Sequence, residues 1–121
     1  MKRYAKTHEW VQVQDGIATV GITKFAADEL GDVTYIEMPD LDDEFEAGEI
    51  FGSIESVKAA SDLFCPIGGK ISAINEELED KPGIVNESAE DRGWICKLEN
   101  IKEADLKSLM SQEEYLAFVR E

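Results

Sequence analysis

A single histidine, His8, and two cysteines, Cys65 and Cys96, leave little for metal or nucleophile chemistry in this chain. The cysteines lack C-x-x-C spacing, and no second imidazole is available to complete a zinc site. Neither G-x-S-x-G nor H-x-x-E-H occurs, so the sequence offers no nucleophile with its base and no metal-bound water with its base. Positive charge is also scarce: 12 Lys and Arg stand against 27 Asp and Glu, a formal charge of −15. Nucleic acids and anionic bilayers are held by an excess of Lys and Arg, so this balance excludes both as partners. It favours solubility and steering toward basic patches on other proteins. No apolar run approaches the ~20 residues of a membrane span. The opening MKRYAKTHEW has basic residues with no apolar segment after them, which fits neither a secretory signal nor a long transit peptide. The expectation is a monomeric protein of the cytoplasm, or of the mitochondrial matrix if this is the mature form of a eukaryotic chain.

What is present suits one soluble domain: 43% hydrophobic and 32% charged residues over 121 positions support a single core. Trp10–Gln14 and Ile17–Val20 alternate as strands around Asp15-Gly16, a pair that tolerates the positive φ of a tight hairpin. Gly21–Asp32 reads as one short helix, with Thr23 as N-cap, Phe25, Ala26, Ala27 and Leu30 as its apolar side and Gly31 as its stop. Val33–Met38 alternates as a strand up to Pro39. The acidic run Asp40–Glu46 reads as a solvated loop, because nothing makes its carboxylates converge and no EF-hand glycine pattern is present. Lys70–Ile74 and Trp94–Leu98 read as strands, and Glu76–Lys81 as a short helix or turn. The tail reads as helical, with Ser111–Glu114 as a capping box. Cys65 and Cys96 fall in apolar strands and read as buried free thiols. The expected organisation is a single domain over 1–121, a β core over about 1–98 with a helical extension over about 99–121.

The segment Glu49–Ile67 is less ordinary. Its central residues, Glu55-Ser56-Val57-Lys58-Ala59-Ala60-Ser61-Asp62, have the composition of an amphipathic helix. The flanks Ile50–Ile54 and Leu63–Cys65 are β-branched and aromatic, and Pro66 limits helix continuation, so two strands joined at Val57-Lys58 fit better. That pairing sets Glu55 opposite Ala60, Ile54 opposite Ser61 and Ser53 opposite Asp62, and projects Lys58 into water at the far end. Val-Lys is a poor pair for a two-residue turn, which normally recruits Asn, Asp or Gly. Local rules are broken most often at functional sites.

This eight-residue run resembles the lipoyl-attachment site of the glycine cleavage H-protein family, ESVKAxSD. Thr7-His8-Glu9-Trp10 is similar to the family's T/S-H-E-W, and Gly21–Asp32 to GITxxAxxxLGD. Pro66 and Gly69 fit P-x-x-G-x-I/V, Pro82–Asn86 fits P-x-L-x-N, and Gly93-Trp94 closes the match. Ala89 stands where the family's S-x-P-x-x-x-G-W has proline, which frees φ there and puts the rigidity of that loop in question. The resemblance runs from about Thr7 to Trp94. It implies a mainly β fold, a barrel-sandwich hybrid of two small antiparallel sheets like other lipoyl domains, with one short internal helix and C-terminal helices. It also implies a carrier that is not itself an enzyme, with lipoic acid in amide linkage to Lys58.

Around that lysine, Glu55, Ser56, Val57, Ala59 and Asp62 would form the hairpin surface read by a lipoyl ligase or lipoyltransferase. Thr7, Glu9 and Asp62 would line a cleft that shelters the aminomethyl-loaded arm. The partners implied are a pyridoxal-phosphate glycine decarboxylase, a tetrahydrofolate-dependent aminomethyltransferase and an FAD-containing dihydrolipoamide dehydrogenase. Read from the residues alone, Glu9 and Asp62 are also plain surface acids, and His8 a surface or capping residue. Two alternatives keep a similar hairpin: a lipoyl donor that passes the group to other carriers, and a biotin carrier. Biotin lysines usually lie between two methionines, whereas Val57 and Ala59 flank Lys58 here.

Overall fold

The computed structural model describes residues 2–120, so the outermost residue at each end of the expected 1–121 domain lies outside it. Two antiparallel sheets form the body. One has six strands, in the order β1 (Lys2–Tyr4), β2 (Glu9–Gln14), β3 (Ile17–Ile22), β9 (Cys96–Glu99), β8 (Gly69–Ile74) and β5 (Glu44–Phe45). The other has three, in the order β4 (Val33–Glu37), β6 (Ile50–Ser56) and β7 (Ala60–Phe64). Alternation explains the packing. Val11, Ala18, Val20, Ile71 and Leu98 of the larger sheet and Ile36, Ile54 and Leu63 of the smaller one join one buried cluster. Each Val, Ile or Leu among them taken from water contributes about 1.5–3 kcal/mol.

The β2–β3 hairpin turns at Asp15 (φ 53°) and Gly16 (φ 78°), with Gln14 paired to Ile17. Both turn residues take the positive φ that this two-residue connection requires. Helix α1 (Lys24–Leu30) starts where Thr23 Oγ1 accepts from the Ala26 amide and ends at Gly31, φ 76°. Phe25, Ala26 and Leu30, its expected apolar side, are only half buried, and Ala27 alone is fully covered.

Several expectations need correction. The acidic run is not wholly loop: Glu44 pairs with Lys70 and Phe45 with Gly69, and the Phe45 ring meets Phe51 edge-on at 6.4 Å. The glycine at 69 lets β8 approach β9 closely at its start, since a Cβ there would sit 2.9 Å from the Glu99 carbonyl oxygen. The stretch expected as a short helix or turn forms the one-turn helix α2 (Glu77–Asp80), and a second one-turn helix, α3 (Ile84–Glu87), follows where none was expected. The last strand starts at Cys96, with Trp94 and Ile95 ahead of it in an irregular approach, and Cys65 lies one residue past β7. Both thiols are buried and free, and burial pushes the Cys65 thiol up to about 12.

The tail is a 3₁₀ helix, Glu103–Ser108, followed by α4 (Gln112–Val119). Its N-terminus carries the capping box: Ser111 Oγ accepts from the Glu114 amide, and the Ser111 amide donates to Glu114 Oε1 at 2.9 Å. The tail folds back on β1, a strand with little signature in the sequence. Tyr4 and Met110 exchange backbone hydrogen bonds, and the Tyr4 and Tyr115 rings stack at 4.8 Å. The loop with Ala89 in place of proline is held by other means. Ala89 is buried and its carbonyl accepts from Trp10 Nε1 at 3.1 Å. Next to it, Glu90 accepts from the Lys24 amide and pairs with Lys2 at 3.0 Å.

Candidate functional site

The β6–β7 hairpin has the expected register, with Glu55 opposite Ala60, Ile54 opposite Ser61 and Ser53 opposite Asp62. Its turn, Val57-Lys58, uses no positive φ. Ser56 supplies what glycine would otherwise provide: its hydroxyl accepts from the amides of Lys58 (3.2 Å) and Ala59 (3.1 Å), a side chain standing in for backbone in the turn. The Ser56 amide donates to Ala59 O at 2.8 Å, and the Val57 amide reaches across to Asp32 O at 3.0 Å. The tip is thus fixed at its base while Val57, Lys58 and Ala59 stay exposed.

Beside this hairpin lies a cleft of about 480 Å³. One wall is the hairpin itself, through Ile54, Ser61 and Leu63. Another is α1, through Phe25, Ala26, Glu29 and Leu30, which explains why that helix face is only half covered by the core. The floor comes from the turn between β1 and β2, where the His8 amide bonds Ala5 O, the Ala5 amide bonds Glu9 O, and His8 takes φ 75°. This sharp bend presents Thr7, His8 and Glu9 to the same space. Glu55, exposed on the hairpin, stands apart from the cleft.

Glu9 is the unusual member. It is 2% exposed, and its carboxylate accepts from Thr7 Oγ1 and from the Phe64 amide at 3.2 Å. Burial pushes the carboxyl up to about 7, against the opposing pull of those two hydrogen bonds. Burial thus favours the neutral form of this carboxyl more than at an exposed acid. Thr7 is exposed at the mouth. Asp62 is exposed too and borders both this cleft and a shallower one lined by Ser53 and Glu37. Strand alternation turns its side chain to the face of Ser53, so Asp62 belongs to the rim where Glu9 belongs to the floor.

Sequence reasoning missed His8, Phe25 and Glu29 as cleft residues. His8 is tied inward: Nδ1 lies 2.7 Å from Tyr115 Oη, which lies 2.7 Å from Thr23 Oγ1, joining the floor, the α1 cap and α4. Burial lowers the His8 pKa, and Glu29 nearby acts in the opposite sense.

A sequence model of the family described as Glycine cleavage H-protein matches residues 2–121. The chain belongs to that family. A glycine cleavage system H protein of Staphylococcus epidermidis is 47% identical over 119 residues, covering 98% of this chain and 94% of the relative. One from Listeria monocytogenes is 48% identical over 112 residues, covering 93% and 90%. The crystal structure of a glycine cleavage system H protein from Mycobacterium marinum superposes with a TM-score of 0.90 at 28% identity, over 99% of this chain and 97% of that one. The fold is therefore the barrel-sandwich hybrid of lipoyl carriers. Its function is that of the family, a carrier in the glycine cleavage system, with lipoate on a lysine as its covalent group. Among the described residues no helix is long and apolar enough to cross a membrane.

Proposed function

We propose that Lys58 is the lysine that bears the lipoyl group, and that the cleft floored by Glu9 shelters the arm once it is loaded. The observation that carries this reading is that one hairpin does both jobs: its exposed tip presents Lys58, and its inner face, Ile54, Ser61 and Leu63, walls the cleft. An arm anchored at the tip needs only to fold back along its own hairpin.

When bound, the lipoyl group would supply a disulfide that takes up the aminomethyl group left when a pyridoxal-phosphate glycine decarboxylase releases carbon dioxide, and that becomes a dithiol once a tetrahydrofolate-dependent aminomethyltransferase removes the group with release of ammonia. An FAD-containing dihydrolipoamide dehydrogenase then restores the disulfide. The protein contributes binding and tethering and is not itself an enzyme. Tethering holds one reactive group at high effective concentration for each partner in turn. A lipoyl ligase or lipoyltransferase attaches the group, reading Glu55, Ser56, Val57, Ala59 and Asp62 around the lysine. The protein acts as a monomeric single domain in the cytoplasm, and its acidic surface meets basic patches on those enzymes.

The loaded arm ends in an ammonium, whereas the oxidised arm is uncharged. Glu9 from the cleft floor, with Asp62 at its rim, would make charge-assisted hydrogen bonds to the first and none to the second, and that difference in affinity would draw the arm into the cleft. Thr7 serves as a neutral partner. A charge-assisted contact of this kind is worth about 1–2 kcal/mol, or roughly a 5- to 30-fold shift in docked population, with buried Glu9 contributing more of it than exposed Asp62. The double substitution Glu9→Gln with Asp62→Asn should speed ammonia release from isolated loaded carrier by a factor in that range, with lipoylation and reoxidation unchanged. Release at the wild-type rate would show that the carboxylates do not hold the arm.

A further inference from the structure

We propose that Asn86 is a positioning residue for the arm: it holds the turn Gly31-Asp32-Val33 as a seat on which the Lys58 stem lies, directing the stem toward the cleft. The inference rests on the reading that the lipoyl group is carried by Lys58.

The seat begins with Gly31. Its φ of 76° and ψ of −157° fall in a region that is essentially restricted to glycine. The residue closes α1 by donating to Ala27 O at 3.2 Å and, having no Cβ, presents a bare Cα on one side. Across that bare surface runs the Lys58 side chain. A Cβ at position 31 would meet Lys58 Cε at 3.0 Å and Cδ and Cγ at 3.8 Å each. The next residue, Asp32, takes the hydrogen bond from the Val57 amide at the hairpin tip. Both the tip and the stem of the lysine thus rest on one short turn. Leu30, immediately before it, lines the cleft, so a stem lying over Gly31 is already at the α1 end of that cavity.

Asn86 brackets the turn from the other side. Its Oδ1 accepts from the Val33 amide at 2.8 Å and its Nδ2 donates to Gly31 O at 2.8 Å. The residue comes from α3, more than fifty positions away in sequence, and is itself exposed. A bidentate clamp of this kind needs an acceptor and a donor on one short side chain, which the primary amide of asparagine supplies. The clamp touches neither the lysine nor the cleft, so it acts through the geometry of the turn it spans.

The test uses two variants of the full chain. Asn86→Ala removes both hydrogen bonds. Asn86→Asp keeps the acceptor for Val33 and sets a carboxylate against the Gly31 carbonyl, and it carries the test if the alanine variant does not fold. On unlipoylated protein, NMR should show close contact between the Lys58 ε-methylene and Gly31 Hα in wild type and its loss in the variants. On loaded carrier, ammonia release should rise about 5-fold in Asn86→Asp, which loses one hydrogen bond, and further in Asn86→Ala, which loses both. A merely structural role would lower the melting temperature while leaving both the contact and the release rate as in wild type, and that outcome overturns the proposal. Peptide mapping of the same preparations separates the two levels. Lipoate on Lys58 with a release rate indifferent to Asn86 overturns the seat alone, and an unmodified Lys58 overturns the attachment and the seat's role with it.

Discussion

Replacing Glu9 with Gln should leave the protein close to wild-type stability at pH 5 and make it relatively more stable at pH 8. The carboxyl is 2% exposed and burial raises it from 4.5 to about 7. A carboxyl whose folded-state value lies above its unfolded value favours folding most fully below about 4.5, and that contribution is lost as pH rises through about 7. The separation, roughly 2.5 pH units at about 1.4 kcal/mol each, corresponds to about 3.5 kcal/mol in full, of which about 2.5 kcal/mol develops between pH 5 and 8. Glutamine has no charge to bury. Its carbonyl can still accept from the Phe64 amide, and its NH₂ can face the Thr7 hydroxyl. Repulsion among the many acids also grows with pH, but it is common to both proteins and cancels in the difference. Urea unfolding of the pair at pH 5, 6, 7 and 8 reads the gap, which should widen steadily in favour of Glu9→Gln. A gap that stays constant with pH means that Glu9 titrates as an ordinary carboxylate, and the account of a carboxyl raised by burial on the cleft floor fails.

Glu55→Gln should slow attachment of lipoate by its ligase with stability within about 0.5 kcal/mol of wild type, since the side chain is exposed; equal ligation rates would remove Glu55 from the recognised surface. Ser56→Ala deprives the Lys58 and Ala59 amides of their acceptor, so hydrogen exchange at these two positions should quicken while the β-strand amides of Ile54 and Leu63 keep their protection. Unchanged exchange at Lys58 and Ala59 would mean that the turn is held by something other than the serine hydroxyl.

Local signals in the sequence are legible where they have one physical meaning. Asp15-Gly16 demands a tight hairpin, Ser111 with Glu114 closes a capping box, and the strand pattern on either side of Val57-Lys58 carries the register of the central hairpin. What stays hidden depends on distant partners. Strand β1 is three residues long and exists through its pairing with β2 and the bridge from Tyr4 to Met110. Strand β5 lies in an acidic run whose main sign of burial is Phe45. An apolar helix face reads the same whether it meets a core or an open cavity, so Phe25, Ala26 and Leu30 look like core residues in the sequence although they wall the cleft. Glu9 looks like a surface acid because nothing in T-H-E-W announces the Phe64 amide that it bonds. Val-Lys at the tip breaks the usual turn rule because the Ser56 hydroxyl, one residue earlier, makes the turn.

The position of the lipoyl group is decided by mass. Protein taken from its native source should carry one lipoyl group by intact mass, and proteolytic peptides should place it on Lys58, with the Lys58→Arg protein folded and unmodified, because arginine keeps the charge but offers no acylatable primary amine. Lipoate found on Lys24 or Lys70, or still present in the Lys58→Arg protein, would show that the hairpin tip is not where the arm begins.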